Sequence, residues 1–457
     1  MQFTQVEFLL LFALLLLVVW RTGNRVVRNS LLLGFSYYFY AYWDWRFCGL
    51  LLMSTAIDFT VARAIAASPS ASARRRWLIL SLTANLGVLG FFKYFNFFVD
   101  SARPLVESLG MNAGTLEIVL PVGISFYTFQ TLSYTMDVYR GRLKPTDSLL
   151  EFALFVSFFP QLVAGPIVRA AELLPQLSRM PEWSPRRFYG GFQTALRGLV
   201  KKVLIADRLG EMVDVVFAEP DMYSGGTVWL AVLAYAGQIY YDFSGYSDIA
   251  IGVAKMLGYR FPANFRHPYL AKSVSEFWRR WHMTLSRWLR DYVYISLGGN
   301  QRGPSRTYVN LMLTMLLGGL WHGAAWTFVV WGLLHGVALA IERAARGKIQ
   351  IGVLGRILTL AVIVVGWIFF RCSSFEMCGQ VLHRLTFPSG GLNWFPPLAL
   401  AAIGLMVADH VAWSTRLRRA MRMRFDRWYS PIATAIMIWS LILYAPRSFQ
   451  PFVYFQF

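Results

Sequence analysis

Two histidines in this sequence stand where an imidazole is chemically conspicuous. His322 lies in "GGLWHGAAW" (318–326), among small residues in a region otherwise built from Leu, Val, Trp and Met. His282 lies in "SEFWRRWHMTLSRWLRDYVYISLGG" (275–299), where arginines and aromatic residues interleave. An ionisable side chain in an apolar setting is expensive, so function is the default reading for His322, with a hydrogen-bonded packing residue as the bland alternative. A neutral imidazole suits proton transfer. An arginine fork suits phosphate, because it makes paired charged hydrogen bonds.

Laid on one helix at about 100° per residue, the 275–299 stretch separates into sectors. Phe277, Trp278, Trp281, Leu285, Trp288 and Tyr292 share one arc, while Arg279, Arg280, Arg287 and Arg290 fall opposite, with Glu276 and Asp291 among them. His282 and Ser286, at i and i+4, mark a boundary between the arcs. One reading is an interfacial helix with aromatics in lipid and arginines at headgroups. The other is a basic, aromatic-walled mouth for an anionic donor, in which Trp281, Trp321 and the four arginines contact substrate.

The remaining histidines carry less. His267, His383 and His410 read as lying in or beside polar loops. His335 follows His322 by thirteen residues, about 220° around a continuous helix, which disfavours a shared metal. The patterns H-E-x-x-H, G-x-S-x-G and the P-loop are absent, so no metal site is expected. In "YYDFSGYSDIAIG" (240–252), Asp242 and Asp248 are six apart and form no carboxylate pair on a helix. Structural bonding to Ser, Tyr or Arg is the expectation for them.

The elements that must position these residues are membrane helices. The chain has 457 residues, 56% hydrophobic and 15% charged, with mean hydropathy +0.45; soluble domains carry about 25% charge. Apolar runs at 3–20, 47–57, 77–92, 227–237, 352–370 and 431–445 reach or approach the roughly 20 residues a span requires. An all-α polytopic membrane protein with about eleven spans follows, although 31–43 looks too short to cross alone. The first apolar run has no basic residue before it and Arg21, Arg25 and Arg28 after it. That is a retained helix, with its N-terminus outside and the arginine loop in the cytoplasm, not a secretory signal.

The net charge of +20 gathers in short loops: Arg74–Arg76, Arg140–Lys144, Arg343–Lys348 and six arginines from Arg416 to Arg427. Topology and anionic lipid account for this excess, so membrane lipids and not nucleic acid are the expected partners. Cys48, Cys372 and Cys378 form neither a metal spacing nor a disulfide framework.

The chain reads as one membrane domain over 1–457, with a polar, aromatic helical segment at 258–306 and a hairpin at 307–342. Residues 259–306 carry nine Arg or Lys, and Arg343, Arg346 and Lys348 follow the next apolar region. If both flanks are cytoplasmic, the first arm of the hairpin covers about 24 Å, less than the hydrocarbon thickness. His322 then sits within the membrane near the hairpin tip, where Gly318, Gly319 and Gly323 allow close approach.

Eight ordered runs carry a family likeness: "SYYFYAYW" (36–43), "FFKYFNFF" (91–98), "LPVGISFYTFQTLSYTMDVYRG" (120–141), "FFPQLVAGPI" (158–167), "YYDFSGYSDIAIG", "FWRRWHMTLSRWLRDYVYISLGG", "GGLWHGAAW" and the terminal "PFVYFQF". Together they resemble the membrane-bound O-acyltransferases, in the bacterial branch that contains the alginate O-acetylation membrane protein and the teichoic acid D-alanine transfer protein. The resemblance implies tilted spanning helices and short re-entrant or interfacial helices around a thinned central funnel. It places the catalytic histidine at His322 and its upstream polar partner, within a W-H-x-T-L-S pattern, at His282.

On that likeness, His322 is a general base. Desolvation disfavours imidazolium, and the neutral ring accepts the proton of an attacking hydroxyl. His282 orients the acyl group or stabilises the oxyanion. The implied donor substrate is acetyl-CoA, with no bound cofactor, and the acceptor an exported polysaccharide such as alginate or cellulose. A separate periplasmic Ser-His-Asp-type acetyltransferase is the implied partner. Peptidoglycan O-acetylation and D-alanyl transfer are same-class alternatives. A polysaccharide transporter or channel with a proton relay through His322 and Asp242 is the alternative from another class.

Overall fold

The structure is a computed structural model that describes residues 1–111, 114–345, 352–387, 390–414, 428–444 and 452–453. The basic stretch 416–427, Arg346, Lys348 and most of the terminal "PFVYFQF" lie outside the described residues. Among the described residues there is no β-strand, only an isolated bridge between Tyr223 and Leu392. Four helical stretches among them are long and apolar enough to cross a membrane: Arg25–Ala67, Ala71–Ser108, Trp326–Ala345 and Gly352–Arg371. This set is smaller than the eleven or so spans expected from the sequence. Pro397–Ala412 and Tyr429–Tyr444 are apolar but shorter. The class is that of an all-α polytopic membrane protein.

Two compact units divide the chain, Met1–Phe192 with Ala250–Pro262, and Gln193–Ile249 with Ala263–Phe457. In the first unit, α1 (Val6–Arg21), α2 (Arg25–Asp44), α3 (Cys48–Ala67) and α4 (Ala71–Leu89) are separated by short capped breaks. Asn24 Oδ1 accepts the backbone N–H of Val26 at 2.8 Å, which satisfies an otherwise orphaned donor at the start of α2. Arg28 departs from the loop position expected of it. It is buried in α2, donates to the carbonyls of Val19 (2.9 Å) and Leu257 (2.5 Å), and stacks on Trp20. Two carbonyl acceptors and a ring face make burial of this guanidinium tolerable.

The "LPVGISFYTFQTLSYTMDVYRG" run folds as α5 (Ile124–Tyr139), buried along nearly its whole length. It starts at Gly123, whose φ of +78° and 2.6 Å approach to the Leu162 carbonyl leave no room for a side chain. Helices α3, α4 and α5 enclose Asp58, to which Ser81, Thr135 and Asn85 all donate.

In the second unit, Asp242 and Asp248 lie on α6 (Gly225–Met256). Lys202 pairs with Asp242 at 2.6 Å and Asp207 at 2.8 Å, and Lys201 pairs with Asp248 at 2.7 Å. Bonding is structural, but the partners are lysines where Ser, Tyr or Arg was expected. Lysines at 201 and 202 project from a π-helical turn (Val200–Ala206), a departure that the hydrophobic pattern does not disclose.

Candidate active site

His322 is the last residue of α9 when α7 (Val274–Trp278), α8 (Met283–Trp288), α9 (Pro304–His322) and α10 (Trp326–Ala345) are taken in order. Helices α9 and α10 pack at glycines. A Cβ on Gly332 would lie 2.5 Å from the Met315 carbonyl, and one on Gly319 would strike the Phe328 carbonyl. Backbone-to-backbone approach of this kind is what small residues permit between membrane helices. It sets the His322 ring, 5% exposed, among Trp321 (4.9 Å between centroids), Trp331 (5.1 Å) and Phe370 (5.2 Å).

The 275–299 stretch is not one helix. It breaks between α7 and α8, and His282 caps α8 with φ +39°, ψ +54°. A left-handed backbone is uncommon for a residue other than glycine, and the surroundings over-determine it. Asn264, buried, accepts from Met283 N through its carbonyl (2.9 Å) and from Thr284 Oγ1 through its side chain (2.9 Å). Its own amide donates to Ser247 at 3.2 Å. Asn264 therefore fixes the turn that aims His282, and sequence reading passed it over, because a single asparagine in "FPANF" carries no periodic signal.

The break also undoes the two-arc projection. Phe277, Trp278, Trp281, Leu285, Trp288 and Tyr292 are buried in protein and not spread into lipid. Trp281 packs on Phe277 (5.6 Å) and Trp367 (4.9 Å). Of the four arginines, Arg280 pairs with Glu276 at 2.6 Å, Arg290 pairs with Asp291 at 2.6 Å, and Arg279 donates to Ser275 Oγ at 3.2 Å. Arg287 is half-buried. Neighbouring carboxylates thus already answer part of the basic arc.

His282 and His322, forty residues apart in sequence, approach to 6.4 Å between ring centroids, and Trp321 adjoins both (5.9 Å to His282). His282 is fully buried, outside the apolar spanning stretches, and desolvation pushes its pKa down to about 3. At neutral pH it is an uncharged ring able to donate one hydrogen bond and accept another. His335 belongs to the same cluster. The Trp331 ring lies 4.8 Å from His335 and 5.1 Å from His322. Gly366, on α11 (Gly352–Arg371), makes room for it: a Cβ there would meet His335 Nε2 at 3.1 Å. The continuous-helix projection separated His322 from His335, whereas the turn at 323–325 puts them on different helices.

The two buried imidazoles, one of them at the end of α9, are walled by tryptophans and kept from bulk water. Residues 142–379 match the membrane-bound O-acyltransferase (MBOAT) family. The chain belongs to that family and is an O-acyltransferase of the membrane. It is 46% identical over 386 residues to a "Probable alginate O-acetylase" of Azotobacter vinelandii, covering 83% of this chain and 77% of the relative. To the protein of the same description from Pseudomonas putida it is 39% identical across the full length of both. A peptidoglycan O-acetyltransferase of Helicobacter pylori is 40% identical over 390 residues, 78% of this chain and 73% of that protein.

Proposed function

We propose that this enzyme takes acetyl from cytoplasmic acetyl-CoA and passes it across the bacterial inner membrane for O-acetylation of an exported polysaccharide, alginate or cellulose foremost. Full-length likeness to a probable alginate O-acetylase carries this reading. The meeting of His282 and His322 in a dry aromatic setting supports the chemistry. His322 acts as general base. It takes the acceptor hydroxyl proton as the oxygen attacks the thioester carbonyl. The C–O bond forms, the C–S bond breaks, and the imidazolium returns the proton to the leaving thiolate. Because His322 ends α9, the partial negative charge of the helix's carbonyl end lies beside the ring that becomes cationic.

His282 orients the acyl group or donates to the oxyanion, and Trp321 and Trp281 wall the acyl position. Arg279, Arg280, Arg287 and Arg290 attract the donor's phosphates, with Arg279 and Arg290 the more exposed. The N-terminus is periplasmic. The loop between α1 and α2, flanked by Arg21 and Arg25, then lies in the cytoplasm. Delivery to the sugar is completed by a separate periplasmic Ser-His-Asp-type acetyltransferase, since a polymer is too bulky for an intramembrane site. Peptidoglycan is the second acceptor to weigh, because a peptidoglycan O-acetyltransferase is 40% identical.

Reconstitution tests the relay. Liposomes with acetyl-CoA inside and polymer outside should show no sugar acetylation until the periplasmic enzyme is added. Full-rate acetylation of the polymer by this chain alone refutes the relay, and acetylation of peptidoglycan but not alginate or cellulose moves the acceptor.

A further inference from the structure

His267, Asp409 and His410 meet in the second unit. One ligand-competent atom from each lies within 4.8 Å of the others, and His267 Nδ1 stands 3.3 Å from Asp409 Oδ2. The sequence pattern places these histidines in or beside polar loops. The structure puts His410 on α12 (Pro397–Ser414), 5% exposed, and His267 at the start of the short turn Pro268–Leu270. The sequence separation of 142 or more residues makes the cluster invisible to any spacing rule.

We propose that these three residues bind a divalent transition-metal cation of the zinc type. Two imidazoles and one carboxylate are a donor set such ions favour, with a fourth position left for water. Ligands about 2.1 Å from zinc stand about 3.4 Å from one another in a tetrahedron. The His267–Asp409 separation already fits, and Asp409, with its side chain 42% exposed, can rotate to close the rest. Plain His–Asp pairing accounts for His267 Nδ1 at 3.3 Å and His410 Nδ1 at 4.0 Å from Asp409 Oδ2, but not for the other nitrogen of His410. The His410 Nδ1 atom meets the Met406 carbonyl at 2.9 Å, which fixes Nδ1 as the donor and Nε2 as the lone-pair nitrogen. That Nε2 is buried and has no hydrogen-bond partner among the described residues. A backbone carbonyl on one ring nitrogen and an unfilled lone pair on the other is the orientation metal-ligating histidines adopt.

The surroundings hold the ring in place. Tyr240 packs edge-on to His410 at 5.2 Å and Tyr269 stacks on it at 5.6 Å, with the Tyr269 hydroxyl donating to the Ala236 carbonyl. Lys201, the neighbouring cation on Asp409 and His410, is itself matched by Asp248 at 2.7 Å. A metal here braces the segment three residues beyond Asn264, the residue that fixes the His282 turn. The bound ion is thus a structural tie between α12 and the segment that aims the active site.

The test uses the full chain, purified in detergent with a tag free of histidine and stripped with chelator. Zinc is then titrated, with cobalt as the spectroscopic probe and thermal stability as a second readout. The proposal requires one zinc per chain, a cobalt spectrum of tetrahedral type and a zinc-dependent rise in Tm. In Asp409→Asn, which keeps size and sits at a half-exposed position, binding should weaken by at least about tenfold. His410→Ala and His267→Ala should do the same. Zinc that fails to bind the wild-type chain, or that binds Asp409→Asn and His267→Ala as tightly as wild type, overturns the site.

Discussion

Asp58 in the first unit and the His282–His322 pair in the second are both buried polar centres, and their surroundings are opposite in kind. Asp58 sits among hydroxyls and an amide: Ser81 (2.5 Å) and Thr135 (2.7 Å) donate to Oδ1, and Asn85 (2.8 Å) donates to Oδ2. Its acceptor capacity is taken up by its own fold, across three helices. The two imidazoles sit among rings, with Trp321, Trp331, Phe370 and Phe243 at centroid distances of 4.6 to 5.9 Å from one or the other. Aromatic faces exclude water without competing for a ring nitrogen's proton. The carboxylate is held by donors from its own fold, whereas the imidazoles are walled by rings.

The comparison breaks most sharply at His322. His322→Ala should cut acetyl transfer from labelled acetyl-CoA by about 10²–10⁴, while the protein still inserts with unchanged Tm. Acetylation near the wild-type rate in that variant would remove the base assignment. His282→Ala should cost about 10² and leave a measurable remnant, because positioning is less absolute than proton removal; equal rates take it out of the site. Asp58→Ala should do the reverse of His322→Ala. It orphans three buried donors and lowers stability by about 3 kcal/mol, while the rate per folded molecule holds. If the surviving folded fraction proves inactive, Asp58 is no mere pin. The smallest effect belongs to the arginines. With Arg280 and Arg290 already paired to Glu276 and Asp291, replacing all four by Gln should raise the KM for acetyl-CoA only several-fold at low salt, as expected of screened surface charge. No change in KM makes the arc a lipid or structural face.

Much of the chain's class was legible before any coordinates. Low charge, long apolar runs and basic loops lead to a polytopic helical membrane protein by hydropathy alone, and the ordered motifs name the family. His322 and His282 could be singled out because one is an ionisable residue in an apolar run and the other interrupts an aromatic-basic pattern. The projection of 275–299 onto one helix fails at the turn 279–282 and again at the π-helical turn Leu289–Tyr294. Periodicity assumes regular φ and ψ, and His282 at φ +39° stands at the break between α7 and α8. Arg28 misled in a similar way: a charge after an apolar run suggests a loop, yet the carbonyls of Val19 and Leu257 receive it inside the protein.

Composition and local pattern alone place this protein in a membrane, make it helical and set two imidazoles in unusual company. Those properties follow from composition and from neighbours within a few turns. Packing alone sets Trp331 against both His322 and His335, makes Asn264 hold the His282 turn, and lets Lys202 answer both Asp207 and Asp242. Packing likewise brings His267 to Asp409 and His410. Each is a pairing between distant segments, fixed by the need of buried polar groups for partners and by glycines such as Gly319, Gly332 and Gly366 that let backbones and rings approach. A residue's type announces that it needs a partner; only the packed chain supplies one.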